Sequence, residues 1–178
     1  MAKPRLPLVS PDITDPKWLV DAFRARRAGG ILNEADRAIL NAPAFARGWN
    51  EIARAVRLEL TMPAALRELA ICAVGVLNGA AYEVTKHAPV FLAAGGKQAQ
   101  LDALADIDAA SMDDEMFDAA ERAALRLAIE MTRNVTVGDA TYAAIADALR
   151  DNAHLVELIG TIAMYNMVAR VLVALHIE

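Results

Sequence analysis

Apolar positions recur along this chain at intervals of three and four, and nowhere does a run of β-branched or aromatic residues alternate with polar ones. That pattern predicts helices throughout and no sheet. Pro4, Pro7, Pro11 and Pro16 punctuate the start, so the first fifteen or so residues read as an extended arm. Asp15-Pro16 then offers an N-cap followed by proline at the first helical position. The first helix is expected from Pro16 to Arg27, stopping at Gly29-Gly30, and a short one from Asn33 to Leu40. Asn41-Ala-Pro43 opens the next, which reaches about Glu59 and carries Phe45, Trp49, Ile52, Val56 and Leu60 on one face.

Thr61-Met-Pro63 starts a further helix that ends at Asn78-Gly79, and another runs from Ala80 to Ala94, closed by Gly95-Gly96. A shorter helix covers Lys97 to Ala105, and the acidic stretch Asp106 to Asp114 reads as a loop. Three helices complete the chain: Asp118 to Arg133, Gly138 to Leu149, and Asp151 to His176 with Asp151 as its cap. The last is apolar nearly all round, from Leu155 to Val173. A helix with no wet face is either a core helix or covered by another subunit, so a homo-oligomer is expected. There is no internal repeat, although the two helical blocks on either side of the acidic stretch could pair loosely in space.

Composition narrows what such a helical protein can be. A chain of 178 residues, 56% of them hydrophobic, suits one domain with its own core rather than a disordered segment. Mean hydropathy is +0.28, yet the stretch Leu69 to Ala81 is too short to span a bilayer, and Asn166 and Arg170 interrupt the apolar run near the end. No membrane association is expected. The first residues lack the apolar core of a secretory signal, so a cytoplasmic location is expected. Lysine and arginine number 18 against 23 acidic residues, a net charge of −5, which argues against nonspecific nucleic-acid binding. Arginine outnumbers lysine, leaving room for a local anion site. A single cysteine, Cys72, excludes an internal disulfide and any two-thiol redox motif.

Reactive groups are few. His154 falls in the first turn of a helix, where the dipole opposes a positive charge, and His176 lies in the tail. His87 differs, because Glu83 sits four residues earlier on the same helix face, which is the spacing of a solvated ion pair as well as of an acid–base pair. Two such ligands on one helix do not make a metal site, and no other histidine or carboxylate has diagnostic spacing. Glu68 lies inside an apolar helix, in Leu66-Arg-Glu-Leu-Ala-Ile-Cys72. A carboxylate there must be paired, hold its proton, or face a cavity. Arg67 and Arg57 are candidate partners for it, and Cys72, four residues on, could share its face or simply fill the core.

The arrangement Arg67-Glu-Leu-Ala-Ile71, Asn78-Gly79, Tyr82-Glu-x-x-x-His87 and Gly95, followed by Ala163-Met-Tyr-Asn-Met-Val-Ala-Arg170, resembles the carboxymuconolactone decarboxylase family, which includes the alkylhydroperoxidase D-like proteins. The likeness spans roughly residues 40 to 176. It divides the chain into an N-terminal arm and helical extension over 1–40 and a family-like domain over 41–178. It implies an all-α, alkylhydroperoxidase D-like bundle, a single oligomeric domain assembling as trimers or hexamers.

The hydroperoxidase branch of that family uses a Cys-x-x-Cys pair, a histidine four residues later and a glutamate one helix earlier. Here the histidine is matched by His87 and the glutamate by Glu68, but the thiol positions fall on Ala80 and Glu83, so thiol peroxidase chemistry of that kind is not expected. The decarboxylase branch carries Glu-x-x-x-His, matched by Glu83 and His87. The resemblance then implies acid–base decarboxylation of a small anionic lactone or oxo acid from aromatic catabolism, with no metal or organic cofactor. His87 would donate the proton and Glu83 would orient it. Glu68 would stand behind as a further base, and Tyr82, Arg67, Asn166 and Arg170 would bind the substrate. Because this chain ends differently from the true decarboxylases, the substrate stays open. Two rival readings are a catalytically silent helical oligomer that serves as a binding or assembly module, and redox chemistry at a lone Cys72 thiol.

Overall fold

The computed structural model describes residues 3–177, and among them there is no strand. The ten helices are α1 (Lys17–Ala25), α2 (Glu34–Ile39), α3 (Pro43–Leu58), α4 (Ala64–Leu77), α5 (Ala81–Ala93), α6 (Gln98–Ala103), α7 (Ile107–Ala110), α8 (Ala119–Arg133), α9 (Asp139–Leu149) and α10 (Asn152–Leu175). The chain falls into two compact units. One comprises residues up to Leu60 together with those from Leu172 onward, and the other Thr61–Val171. The boundary read from the family likeness at 40/41 is a different division: it marks where the likeness begins, whereas α3 packs with the N-terminal elements.

In the first unit the arm is held by hydrogen bonds to its backbone, one from the main chain and two from side chains, rather than by secondary structure. The Arg5 N–H donates to the Leu175 carbonyl at 2.9 Å, Arg37 Nε to the Val9 carbonyl at 2.7 Å and Asn41 Nδ2 to the Pro7 carbonyl at 3.0 Å. Asn33 caps α2 through a reciprocal box with Asp36, whose backbone N–H reaches Asn33 Oδ1 at 2.8 Å. The first helix is capped by Pro16 with no side-chain bond, so Asp15 does not serve as its cap. On α3 the buried face is Ala46, Trp49, Asn50, Ala53 and Val56, while Phe45 and Ile52 are exposed. This corrects the expected stripe. Trp49 and Val56 were rightly placed, but alanine carries little hydrophobic signal, and the large apolar side chains drew the expected face about one residue off.

In the second unit α4 is the central element, buried at nearly every position from Leu66 to Gly75 and packed against α5 and α8. It ends as its sequence predicts. Gly79 takes φ +65° and the Ala80 N–H returns to the Gly75 carbonyl at 2.8 Å, the left-handed stop that only glycine adopts without strain. Gly75 sets the spacing of α4 and α5, since a Cβ there would lie 2.9 Å from Val84 Cγ2. At the start of α4, Glu157 of α10 accepts from the Met62 N–H at 2.8 Å and from the Thr61 N–H. The acidic stretch expected to be a loop carries a single-turn helix instead, with Asp106 Oδ1 accepting from the Ala109 N–H and capping α7.

The last helix is the most apolar. By length and composition α10 could cross a membrane, with a mean hydropathy of 1.8 over its best window, of which 50% is buried inside the fold. Its exposed positions include Val156, Gly160, Ala163 and Val173.

Candidate functional site

Three helices of the second unit bring titratable groups together in its interior. α4 supplies Arg67, Glu68 and Cys72, α5 supplies Glu83 and His87, and α10 supplies Tyr165. Glu68, Glu83, His87 and Tyr165 are all buried, His87 at 2% exposure. The pair therefore does not lie on a solvated face, although its i,i+4 spacing alone would allow that.

His87 Nδ1 lies 2.6 Å from Glu68 Oε2. Burial pushes the Glu68 carboxyl up, but the hydrogen bond and charge of His87, with the same from Arg67, outweigh it and hold the group below its ordinary value. An ionised Glu68 can only accept, so Nδ1 carries the hydrogen and Nε2 is left as the reactive nitrogen. Arg67 Nε donates to the other carboxylate oxygen, Oε1, at 3.1 Å. At the far side of the ring Nε2 is 3.1 Å from the Tyr165 hydroxyl and 3.5 Å from Glu83 Oε2. The imidazole and phenol rings meet edge to face, with centroids 4.9 Å apart at 84°.

It is Glu68, and not the i,i+4 neighbour Glu83, that is hydrogen-bonded to the imidazole. Glu68 holds the Nδ1 side of the ring, and Glu83 stands 3.5 Å from Nε2. Tyr82 is buried beside them with the Lys86 ammonium 5.3 Å from its ring centre. Cys72 is fully buried, and burial together with the charges of Glu68 and Glu83 pushes its thiol up to about 12. A thiol that stays protonated is a poor nucleophile.

Asn166 and Arg170 belong to a separate network. Asn166 Oδ1 accepts from Asn78 Nδ2 at 3.1 Å and from Arg170 Nη1 at 2.5 Å, and its amide donates to Thr132 Oγ1 at 2.9 Å. That network ties α10 to the end of α4 and to α8. Tyr165 is the residue the sequence reading passed over, though it stood in the quoted tail motif. Its signal was the one phenol of a largely apolar helix. His154 is 3.9 Å from Asp151 and far from this chemistry in the chain, and His176 closes α10.

An apolar cavity of about 370 Å³ lies on the α4–α5 surface, lined by Gly75, Val76, Gly79, Ala81, Val84 and Thr85. It adjoins the backbone that carries Glu83, whose Cβ is 3.5 Å from where a Gly75 Cβ would stand. Among the described residues, no group of three or more histidine, cysteine or acidic side chains is arranged to hold a metal ion.

Fold and interior together define an all-helical protein built around a carboxylate–imidazole–phenol chain. Residues 43–130, which hold α3 to α7 and most of α8 and with them Glu68, Glu83 and His87, match the model of the carboxymuconolactone decarboxylase family. A search of curated proteins gives no match. Among solved structures, an uncharacterized peroxidase-related protein from Silicibacter sp. TM1040 aligns with TM-score 0.76 and 17% identity, over 100% of this chain and 94% of its own. The debrominase Bmp8, as a cysteine-to-alanine variant in complex with 2,3,4-tribromopyrrole, aligns with TM-score 0.78 and 17% identity over 99% and 93%. A third, the alkylhydroperoxidase AhpD core of a peroxidase-related protein from Ralstonia eutropha JMP134, gives 0.75 and 16% over 100% and 93%. The all-α, alkylhydroperoxidase D-like fold expected from the sequence is the fold observed.

Proposed function

We propose that this chain is an acid–base carboxy-lyase acting on a small anionic lactone or oxo acid. The observation that carries the reading is the Glu68–His87 pair: a buried carboxylate at 2.6 Å fixes the imidazole tautomer and leaves Nε2 at the reacting side. Loss of carbon dioxide from an unsaturated lactone acid leaves an electron pair that spreads into an enolate. The protein must then stabilise an oxyanion and return a proton to carbon. Arg67, which spends one N–H on Glu68, has further guanidinium donors for the substrate carboxylate. His87 is the source of the proton, and Glu83 Oε2 stands 3.5 Å from its Nε2. The cavity beside Glu83 suits the apolar part of the substrate. Asn166 and Arg170 hold helices in place in this scheme. Assembly with further copies through the exposed apolar positions of α10 is part of the same proposal.

The test is ultraviolet-monitored turnover of 4-carboxymuconolactone by the wild type and by His87→Gln. Loss of substrate with the wild type and none with a folded variant is expected. A folded His87→Gln with full turnover overturns the role of His87. No turnover by either overturns this substrate and favours other oxo acids or a silent oligomer.

A further inference from the structure

His87 has two nitrogens, and one of them is already committed. Nδ1 is bound to Glu68 at 2.6 Å, so a proton can leave the ring only through Nε2. There the ring is not open: His87 is 2% exposed, and the atoms that flank Nε2 are the Tyr165 hydroxyl at 3.1 Å and Glu83 Oε2 at 3.5 Å. The first is within hydrogen-bonding distance and the second is beyond it. Tyr165 is itself fixed, since Met164, Val168 and Ala169 beside it on α10 are buried and its ring meets the imidazole edge-on at 84°. A phenylalanine would fill the same volume. What the tyrosine adds is an O–H at the one exit from His87. Tyr165 also lies outside residues 43–130, so the match to the family does not contain it.

We propose that Tyr165 is a catalytic residue: its hydroxyl hands the proton to the substrate carbon, and His87 restores it. The inference rests on the acid–base reading given above. When the enolate carbon is protonated, the Tyr165 O–H bond breaks and a C–H bond forms. In the same movement the His87 Nε2–H bond breaks and a new Tyr165 O–H forms, so one proton passes through the phenol and the tyrosine ends unchanged. When the product leaves, water returns a proton to Nε2, and the hydroxide that remains joins the released carbon dioxide as bicarbonate. The groups that surround the relay are Arg67, Glu68 and Cys72 from α4 and Glu83 from α5. Glu83 Oε2 stands 3.5 Å from Nε2 and the Tyr165 hydroxyl 3.1 Å, so Tyr165 is the hydrogen-bonding neighbour of that nitrogen.

The experiment compares wild type, Tyr165→Phe and a protein with fluorotyrosine placed at position 165. It reads kcat against pH and the nitrogen-15 resonances of His87. Tyr165→Phe is expected to lower kcat by about a hundredfold, the scale of one lost acid–base group, with KM nearly unchanged. It should also move the Nε2 resonance while Nδ1, held by Glu68, stays in place. Fluorotyrosine keeps the size of the ring and raises its acidity, so the kcat–pH profile should shift even if the phenylalanine variant folds poorly. An unmoved Nε2 resonance, or a folded variant with kcat within twofold of the wild type, overturns the relay. The two proposals fail separately. If the wild type does not turn over the lactone, the substrate reading falls and the relay is judged on Nε2 alone; if His87→Gln is inactive and Tyr165→Phe is fully active, only the relay falls.

Discussion

Glu68 and His87 stand 19 positions apart in the chain and 2.6 Å apart in the fold. The contact is made by α4 lying directly on α5, which Gly75 permits by leaving no Cβ between them. It is a contact between a carboxylate and an imidazole that are both withdrawn from water. Its consequences are therefore larger than those of the exposed ion pairs elsewhere on the surface.

The first consequence concerns pH. Glu68 ionises more readily in the fold than its ordinary value of 4.5. Around and below that pH the unfolded chain binds the proton that the folded chain refuses, so this contribution is complete above 4.5 and is lost as pH falls through the folded value. Glu130 and Glu157 shift in the same direction, but they lie nearer solvent and contribute less. Urea midpoints measured from neutral to acid pH should fall for the wild type and fall less steeply for Glu68→Gln. At neutral pH that variant should be less stable by about 1.5–3 kcal/mol, the loss of a charged hydrogen bond.

Cys72 gives a second expectation. Its thiol is fully buried and pushed up to about 12, so it is neither accessible nor a thiolate at neutral pH. A thiol reagent should react with the native protein only at the rate of unfolding and with one equivalent at once in denaturant. Rapid reaction of the folded chain would restore the lone-thiol reading.

Gly75 allows the helix spacing to be tested apart from the charges. A Cβ at this position meets Val84 Cγ2 at 2.9 Å and Glu83 Cβ at 3.5 Å. Gly75→Val should cost about 1–3 kcal/mol through overpacking and should lower turnover, because the residue displaced is joined to Glu83. Gly48 is the control: nothing lies within 4 Å of a Cβ there, and Gly48→Ala in mid-α3 should stabilise by up to about 1 kcal/mol. Thermal midpoints of the two variants should therefore move in opposite directions, and only Gly75→Val should lose turnover.

What could be read from the sequence follows from how each feature is encoded. Helix ends were legible because their signals are local: Asn78-Gly79 and Gly95-Gly96 stop α4 and α5 where glycine alone accepts the backbone. Glu68 was legible because a carboxylate in an apolar helix demands a partner, and Glu83 with His87 because i,i+4 residues share a face. The identity of the partner was not legible. Both carboxylates were candidates for the imidazole, and only the approach of α4 to α5 decides that Glu68 takes Nδ1. Tyr165 was hidden for a related reason. It lies 78 residues from His87, on a helix so uniformly apolar that its periodicity does not reveal which face points inward. The rotation of the buried face of α3 has the same origin in Ala46 and Ala53, which pack closely without announcing it.

In the first unit a different buried charge joins the end of α1 to α2 and α3. Asp36 is 1% exposed and accepts from Arg26 Nη2 at 2.9 Å and from Arg27 Nη2 at 2.7 Å. Arg26 in turn donates to Asn50 on α3 at 2.5 Å. Burial pushes the Arg26 guanidinium down to about 10, against the pull of Asp36 and with the repulsion of Arg27 and Arg57. One carboxylate thus offsets a cluster of three arginines. Asp36→Asn preserves shape and part of the α2 cap but removes that counter-charge, leaving buried cations without compensation, an arrangement that costs about 3–5 kcal/mol. Arg26→Met removes a cation and a donor together and should cost less, since Arg27 still pairs with Asp36. Urea denaturation of the two variants should rank Asp36→Asn as the more damaging. If Arg26→Met proves worse, the cluster is held by the packing of the arginine stem and its bond to Asn50, and the charge balance at Asp36 is secondary.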